Sequence, residues 1–422
     1  MRSAFGGRFI EAAQKPVIAA LSACGIALYL AYHLTRFQVS AVWPLAPRGD
    51  ASIVFDQAHA IFERAAYPSG AIFPYPPSAI LIFYGLSLGG PAIFMTAWYF
   101  LMAAGLIVCL RASLVQERNE TRAAWLLVGV VSILIADAPI AWDLRNANSN
   151  VICIGLVMAG YALVGRLPVL AGILVALAFS IKLYSGLLLV YLFLNGPRRA
   201  TAAAAATVFI LWLGLPVGLF GTDGALKLYS GWSDQVRIIS DPSLHASLAT
   251  RAGGPPIVSL QKAVVNLTGA EFGSDTTRTW LLAIESLWVA ALLVYAWRCR
   301  GTFCVPIPSR AALADWVVLM LAPLPFSPWL EPYHAVPVLV AVLLCVAVAL
   351  DDSQLRSDRM TVLAAVAARA CACLPASPTC EADAPAASLA WPRQSADKQC
   401  GRALGEARPL ANPVWGRGGV GT

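Results

Sequence analysis

Long apolar runs separated by short basic segments set the rhythm of this chain. A helix needs about 20 apolar residues to cross a bilayer. Runs near that length fall at residues 17–35, 91–111, 123–140, 150–164, 201–220, 279–298, 312–330 and 335–350. Two further stretches do not fit one straight span. Residues 77–88 are too few and begin at Tyr75-Pro76-Pro77, whereas residues 167–194 are too many and are interrupted near Ser180-Ile181-Lys182. Short or broken helices are tolerated at membrane depth where they are buried in protein or line a wet cavity.

Lysine and arginine mark the cytoplasmic side of such helices. Residues 2–15, 111–122, Arg166, Arg198-Arg199, 298–310 and 356–359 all fall inside under one scheme. It makes 77–88 re-entrant from outside and 167–194 a pair of half-helices turning near Lys182, for about ten membrane passes. Residues 36–76, 143–150 and 221–278 then lie outside. A single crossing by 167–194 would break the parity and move Asn146 inside. The first scheme is preferred because it gathers the polar residues on one face.

Composition agrees with this pattern. Of 422 residues, 59% are hydrophobic and 13% charged, against about 25% charged in a soluble domain; the mean hydropathy is +0.69. The net charge of +7 comes from short basic pairs between apolar runs, not from a stripe that would grip nucleic acid, so no nucleic-acid partner is expected. Arg2, Arg8 and Lys15 precede a first run with no small-residue cleavage site after it, which reads as a retained helix. Among the ten cysteines, Cys24, Cys109, Cys153 and Cys345 lie in apolar runs and read as packing residues. Cys371, Cys373, Cys380 and Cys400 have no zinc spacing. From about Ala364 the chain is rich in Ala, Pro, Gly and Arg without apolar period, and reads as a disordered cytoplasmic tail. The division expected is therefore 1–363 for the membrane domain and 364–422 for the tail.

Polar residues inside this frame are the candidates for chemistry. Asp50 precedes an amphipathic stretch with Val54, Ala58, Ile61, Phe62 and Ala65 on one face and Asp56, Gln57, His59, Glu63 and Arg64 on the other. Such a helix would lie in the membrane interface, apolar side toward lipid. Asp50 reads equally as its cap and as a catalytic carboxylate. Asp143-Leu144-Arg145-Asn146-Ala147-Asn148-Ser149-Asn150 is a polar entry to a membrane helix. Asp143 and Arg145 read as a neutralising pair, while the alternating asparagines read as cap and cavity lining for sugar hydroxyls or phosphate oxygens. Lys182, alone in an apolar stretch, must snorkel or meet an anion, and phosphate suits a compact ammonium. Glu331 and His334 share a face at the turn from Ser327-Pro328 to Tyr333-His334, where the plainer reading of the histidine is structural. No phosphate-binding glycine loop, dinucleotide fingerprint, zinc-protease motif, nucleophile elbow or channel filter is present in the sequence.

Taken together, these stretches resemble glycosyltransferase family 87, membrane enzymes of GT-C type that include polyprenol-phosphate-mannose-dependent α-1,2-mannosyltransferases. The likeness runs through Asp50 to Phe62 with Phe73-Pro74-Tyr75-Pro76-Pro77, then Asn148-Ser149-Asn150 to Ala171-Gly172, Lys182-Leu183-Tyr184, and Ser327-Pro328 to His334. Three positions depart from the pattern. Ser185 stands where proline commonly follows Lys-x-Tyr, Tyr333-His334 replaces a histidine pair, and Ala65-Ala66 lacks the usual glycine after the first-loop helix. The resemblance implies an all-α polytopic GT-C-like helical bundle with a large first outer loop. It implies inverting transfer of a hexose, mannose by its nearest pattern, from a polyprenyl-phosphate sugar to a lipid or glycan acceptor. The active site would face the periplasm or exterior of the cell (inner) membrane. Asp50 would be the general base, with Lys182, Arg145, Asn148, Asn150, His334 and Tyr75 binding phosphate or substrate. No cofactor and no metal are expected. The rival reading is a transporter or flippase of an amphiphilic lipid-linked substrate, which the broken helix also suits. Against it, the sequence has no second copy of the Asp50 or Asn-x-Asn stretch.

Overall fold

The computed structural model describes residues 16–36, 50–67, 73–114, 122–239, 260–269, 274–298, 310–323 and 336–350. These all lie within Met1–Ala376. The late turn with Glu331 and His334, and the tail 364–422, fall outside the described residues.

Every regular element among the described residues is helical. In chain order they are α1 (Pro16–Arg36), α2 (Asp50–Arg64), α3 (Pro77–Ser87), α4 (Gly90–Leu114), α5 (Arg122–Ile135), α6 (Asp137–Arg145), α7 (Asn150–Leu163) and α8 (Pro168–Ile181). They continue as α9 (Gly186–Asn195), α10 (Arg198–Phe209), α11 (Leu215–Ile239), α12 (Leu260–Thr268), α13 (Asp275–Arg298), α14 (Arg310–Leu321) and α15 (Val338–Leu350). Three segments among the described residues are long and apolar enough to cross a bilayer: Gly90–Ala112, Arg198–Ile238 and Asp275–Tyr295. The shorter apolar helices are Ala20–Tyr32, Pro77–Ser87, Asn150–Leu163, Pro168–Ile181, Leu183–Asn195 and Ala312–Leu321.

The centre is a row of neighbours, α4 against α7, α7 against α8, and α8 against α10. Small residues permit the closeness. A Cβ added at Gly155 would collide with the Gly105 backbone across the α4–α7 contact, and one at Gly172 with the Ala200 carbonyl across α8–α10. In lipid, where apolar side chains gain little by leaving the solvent, such backbone approach supplies much of the packing energy.

Four local outcomes refine the sequence pattern. The run 123–140 is two helices, because Pro139 lacks an N–H and its ring crowds the carbonyl one turn earlier, so the helix parts at Ala136. The long run does break at Lys182, which is extended (φ −136°, ψ 119°) between α8 and a 3₁₀ turn, Leu183–Ser185. Ser185, in the place of the usual proline, donates its hydroxyl to the Lys182 carbonyl at 3.0 Å and so closes that turn. The stretch expected as loop from 221 onward is instead helical to Ile239, kinked at Gly221 (φ 69°). Ala225, Leu228 and Gln235 form its buried stripe, while Asp223, Lys227, Asp234 and Arg237 on its outer side gave the stretch its loop-like composition.

The fourth outcome corrects the expectation that the apolar side of α2 turns to lipid. The apolar stripe of α2 (Ala51, Val54, Ala58 and Ile61) is 0% exposed and packs on α3 and α4, not on lipid. Aromatic partners draw it in. Phe62 stacks on Tyr84 at 3.6 Å between ring centroids, and Phe55 meets Phe94 edge-on at 5.3 Å. His59 is pulled from the polar face to pack beside Phe55 and Tyr84 and to bond Ser87 Oγ at 2.9 Å. The helix ends where Ala65 turns left-handed (φ 48°), the conformation that the missing glycine would adopt without strain. Of the four apolar-run cysteines, Cys109, Cys153 and Cys345 are buried as packing residues and Cys24 is exposed.

Candidate active site

The junction between α6 and α7 is the base of the site. After α6, Ala147 takes a left-handed conformation (φ 48°), which costs an alanine roughly 1 kcal/mol. Trp98 Nε1 holds that turn by donating to the Ala147 carbonyl at 2.8 Å, and Asn148 N–H donates to the Asp143 carbonyl at 3.0 Å. The left-handed step turns the chain into a junction that holds Asn148, Ser149 and Asn150 together. All three are buried.

Asp143 is fully buried (0% exposed) at this junction. Its Oδ1 accepts from Asn150 Nδ2 at 2.8 Å and its Oδ2 from the backbone N–H of Val151 at 3.0 Å. It thus caps the N-terminus of α7 from within α6, satisfying one of the free donors found there. Burial pushes its carboxyl up to about 7; the Val151 and Asn150 bonds and the nearby Lys182 charge act downward, and the Asp50 charge upward. The second N–H of Asn150 goes to Asn148 Oδ1 at 3.0 Å, which also accepts from Ser149 N–H at 2.7 Å. Asn150 Oδ1 has no hydrogen-bond partner among the described residues, a cost of about 1–3 kcal/mol for a buried acceptor.

With its oxygen engaged, Asn148 presents its Nδ2 to Asp50, whose carboxylate accepts from it. The Asp50 backbone N–H donates to the Asn146 carbonyl at 2.7 Å, so the start of α2 is docked on the junction by main chain and side chain together. Tyr75 reaches the same junction, its hydroxyl 3.1 Å from Ser149 Oγ and its carbonyl accepting from Tyr67 OH at 2.7 Å. Lys182 Nζ sits over the Tyr75 ring, 5.2 Å from its centroid, within electrostatic range of both Asp50 and Asp143. The break at Lys182 is itself braced, since Ser78 Oγ donates to the Ser180 carbonyl at 2.9 Å and Trp212 Nε1 to Ser180 Oγ at 3.1 Å.

The site therefore joins a held carboxylate, an ammonium and a row of amides in one place. Chemically it can accept a proton at Asp50 and face an anion with Lys182. Among the described residues, no three His, Cys, Asp or Glu side chains converge as a metal site.

The sequence model of glycosyltransferase family 87 matches residues 73–328, more than half of the chain. The chain belongs to glycosyltransferase family 87. It is a glycosyltransferase, and its apolar helices make it a membrane protein. No curated protein and no solved structure matches it.

The family match takes in Tyr75, Asn148, Asn150 and Lys182, starts after Asp50 and stops before His334. Of the site residues expected from sequence, the structure brings together Asp50, Tyr75, Asn148, Asn150 and Lys182. Arg145 closes α6, and its side chain lies outside the described residues, as does all of His334. Asp56 is exposed on α2. Sequence reasoning missed the bonds that Asp143 makes to Asn150 and Val151; its pairing with Arg145 falls on a side chain outside the described residues. It also missed Ser149 and Trp98. The signal for Asp143 was an acid shortly before a helix start that carries no capping side chain of its own.

Proposed function

We propose that this glycosyltransferase moves a hexose, mannose by its family resemblance, from a polyprenyl-phosphate sugar to a hydroxyl of a lipid or glycan on the non-cytoplasmic face of the cell membrane. The observation that carries this reading is the Asp50 carboxylate, held by Asn148 at the start of α2 with the Lys182 ammonium in electrostatic range. Asp50 takes the proton of the acceptor hydroxyl as that oxygen bonds the anomeric carbon. The bond from the anomeric carbon to the phosphate oxygen breaks, and its electron pair departs with the polyprenyl phosphate. A single displacement of this kind inverts the anomeric centre.

Lys182 stabilises the charge gathering on the phosphate, with Arg145 and His334 assigned to the same task. Phosphate leaves readily, so no general acid is required. Asn148 and Asn150 line the space where the sugar sits, and Tyr75 forms its wall under the lysine. In this reading about ten passes make the GT-C-like bundle, residues 1–363 carry the activity, and the tail 364–422 does not.

The test is transfer in membranes. Vesicles containing the protein, radiolabelled polyprenyl-phosphate mannose and an acceptor extract should yield labelled product, in parallel with a measurement of lipid movement across the same bilayer. Movement of the lipid without transfer of the sugar would replace this reading with a flippase.

A further inference from the structure

Asn150 spends both of its side-chain N–H groups in one direction and leaves its own oxygen without a partner among the described residues. A buried amide accepts that loss only if its neighbours demand donors on the other side. The demand comes from Asp143, both of whose oxygens accept here and which, ionised above about pH 7, can then only accept. Its two oxygens are taken by the Asn150 amide at 2.8 Å and the Val151 N–H at 3.0 Å. Asn150 is thereby fixed with nitrogen toward Asp143 and Asn148. Asn148 must then offer its oxygen to Asn150 and its nitrogen to Asp50.

We infer that Asp143 is a positioning residue for the transfer reaction, setting the direction of the Asn150–Asn148 amide chain so that Asp50 receives a donor and is kept ionised. The inference rests on the reading of Asp50 as the general base. A donor held against a carboxylate favours its charged form, whereas a carbonyl oxygen in the same place favours the protonated one. If the chain ran the other way, Asp50 would hold its proton at the pH where it must accept one. Among the described residues, the charged and titratable groups around Asp143 and Asp50 are Lys182 from the break after α8, Tyr75 from the segment before α3, Cys153 from α7 and Tyr184 from the 3₁₀ turn. Each is in place whichever way the amides point, so the direction of the chain is set by the acceptor at its end. Ser149 N–H supports the same orientation of Asn148 from one side only.

The sign of a pH shift separates this role from simple charge proximity. Asp143 and Asp50 repel, so removing the Asp143 charge alone would make Asp50 easier to ionise and move the acidic limb of kcat to lower pH. Loss of chain direction moves it to higher pH. An amide at position 143 offers one oxygen, which the fixed Val151 N–H claims, and turns a donor toward Asn150. That reverses Asn150 and, through it, Asn148. Asp143→Asn should therefore move the acidic limb upward by about one pH unit, with transfer on the acid side of that limb lowered about 10-fold and recovering at higher pH.

Asn150→Ala cuts the chain while leaving the Asp143 charge in place, and should move the limb upward as well. The double variant should be no worse than the worse single one, because both act through one link. A downward shift in Asp143→Asn, an unmoved limb in Asn150→Ala, or additive effects would each overturn the inference. Asp50→Asn, run beside them, separates the two failures. Surviving transfer there removes the general base itself, whereas abolished transfer with unmoved limbs removes only the role given to Asp143.

Discussion

The side-chain amide of Asn148 is a donor to the carboxylate of Asp50, a residue 98 positions away in the chain. This bond ties the first-loop helix to the entry of a central membrane helix, and with it a carboxylate to the row Asn148, Ser149 and Asn150. A residue that served only as a helix cap would have no need of a donor from outside its own helix. The pairing gives Asp50 a fixed orientation, and the consequences of that orientation can be measured.

In the proposed reaction Lys182, over the Tyr75 ring and near Asp50, meets the leaving phosphate. Lys182→Met keeps the length and apolar stem of the side chain and deletes the ammonium. Transfer should fall by roughly 10²–10³-fold in kcat, the range for losing one group that stabilises transition-state charge. Steady-state rates at saturating donor are the measurement, and an unchanged kcat would take Lys182 out of the reaction.

Ala65 ends α2 in the left-handed region (φ 48°). An alanine pays roughly 1–2 kcal/mol there, and glycine does not. Ala65→Gly should stabilise the folded protein by about 1 kcal/mol, seen as a raised unfolding midpoint in detergent, with transfer unchanged. A lowered midpoint would mean that the methyl group contributes more by packing than it costs in strain.

Asp143 gives stability a pH dependence of predictable sign. Its carboxyl is pushed by burial from 3.8 to about 7. Between those values the unfolded chain has lost the proton and the folded one retains it, so stability falls as pH rises through this window. Thermal unfolding in detergent from pH 4 to 7 should show that decline, and Asp143→Asn should flatten it. An equal slope in the variant would assign the decline to other groups.

Much of this arrangement was legible in the sequence, and the exceptions have physical causes. Periodicity found α2 and most of its apolar face, because Val54, Ala58 and Ile61 keep helical spacing; it left out Ala51, which the structure adds to the buried stripe. It could not tell whether that face met lipid or protein, since both solvents reward the same residues; aromatic partners far along the chain decided it. The break at Lys182 was visible as a charge in an over-long apolar run. Asn148, Asn150 and Lys182 stood out because polar groups at membrane depth are costly, and Asp50 because it stands at the start of an amphipathic helix. The Asp143 bonds were not visible, because Arg145 at the second position beyond offered a nearer partner on paper. The helical part of 221–239 was hidden by its charged outer side, which made an amphipathic helix look like a loop.

Sidedness rests on the basic segments, and it can be read by labelling. In a background without reactive cysteines, Ser230→Cys, exposed on α11, should react with an impermeant thiol reagent in intact cells. Arg118→Cys should react only after the membrane is opened. The reverse pattern would place the Asp50 site on the cytoplasmic face.

The role of Asp50 is tested by the smallest change available. Asp50→Asn retains the shape of the side chain and an oxygen that can still accept from Asn148. As a cap, Asn serves about as well as Asp, with a difference of a few tenths of a kcal/mol at most. If Asp50 were only a cap, or only a docking point for α2, the variant would be nearly silent. As a general base it loses its proton acceptor, and transfer should fall by roughly 10²–10⁴-fold. Donor binding should persist, because the proposed reading gives the phosphate to Lys182, Arg145 and His334 and not to Asp50. Asp56 is the matched control. It lies on the same helix, exposed and away from the junction, so Asp56→Asn should leave transfer within about twofold, as expected for a surface change of under half a kcal/mol. Both variants are to be compared at equal expression and equal thermal midpoint, with transfer and donor binding measured separately. Near-normal turnover by Asp50→Asn would remove this carboxylate from the chemistry, and a collapse in Asp56→Asn would move the base to the outer face of α2. Loss of transfer in Asp50→Asn alone, with donor still bound, leaves proton removal from the acceptor as the step that Asp50 performs.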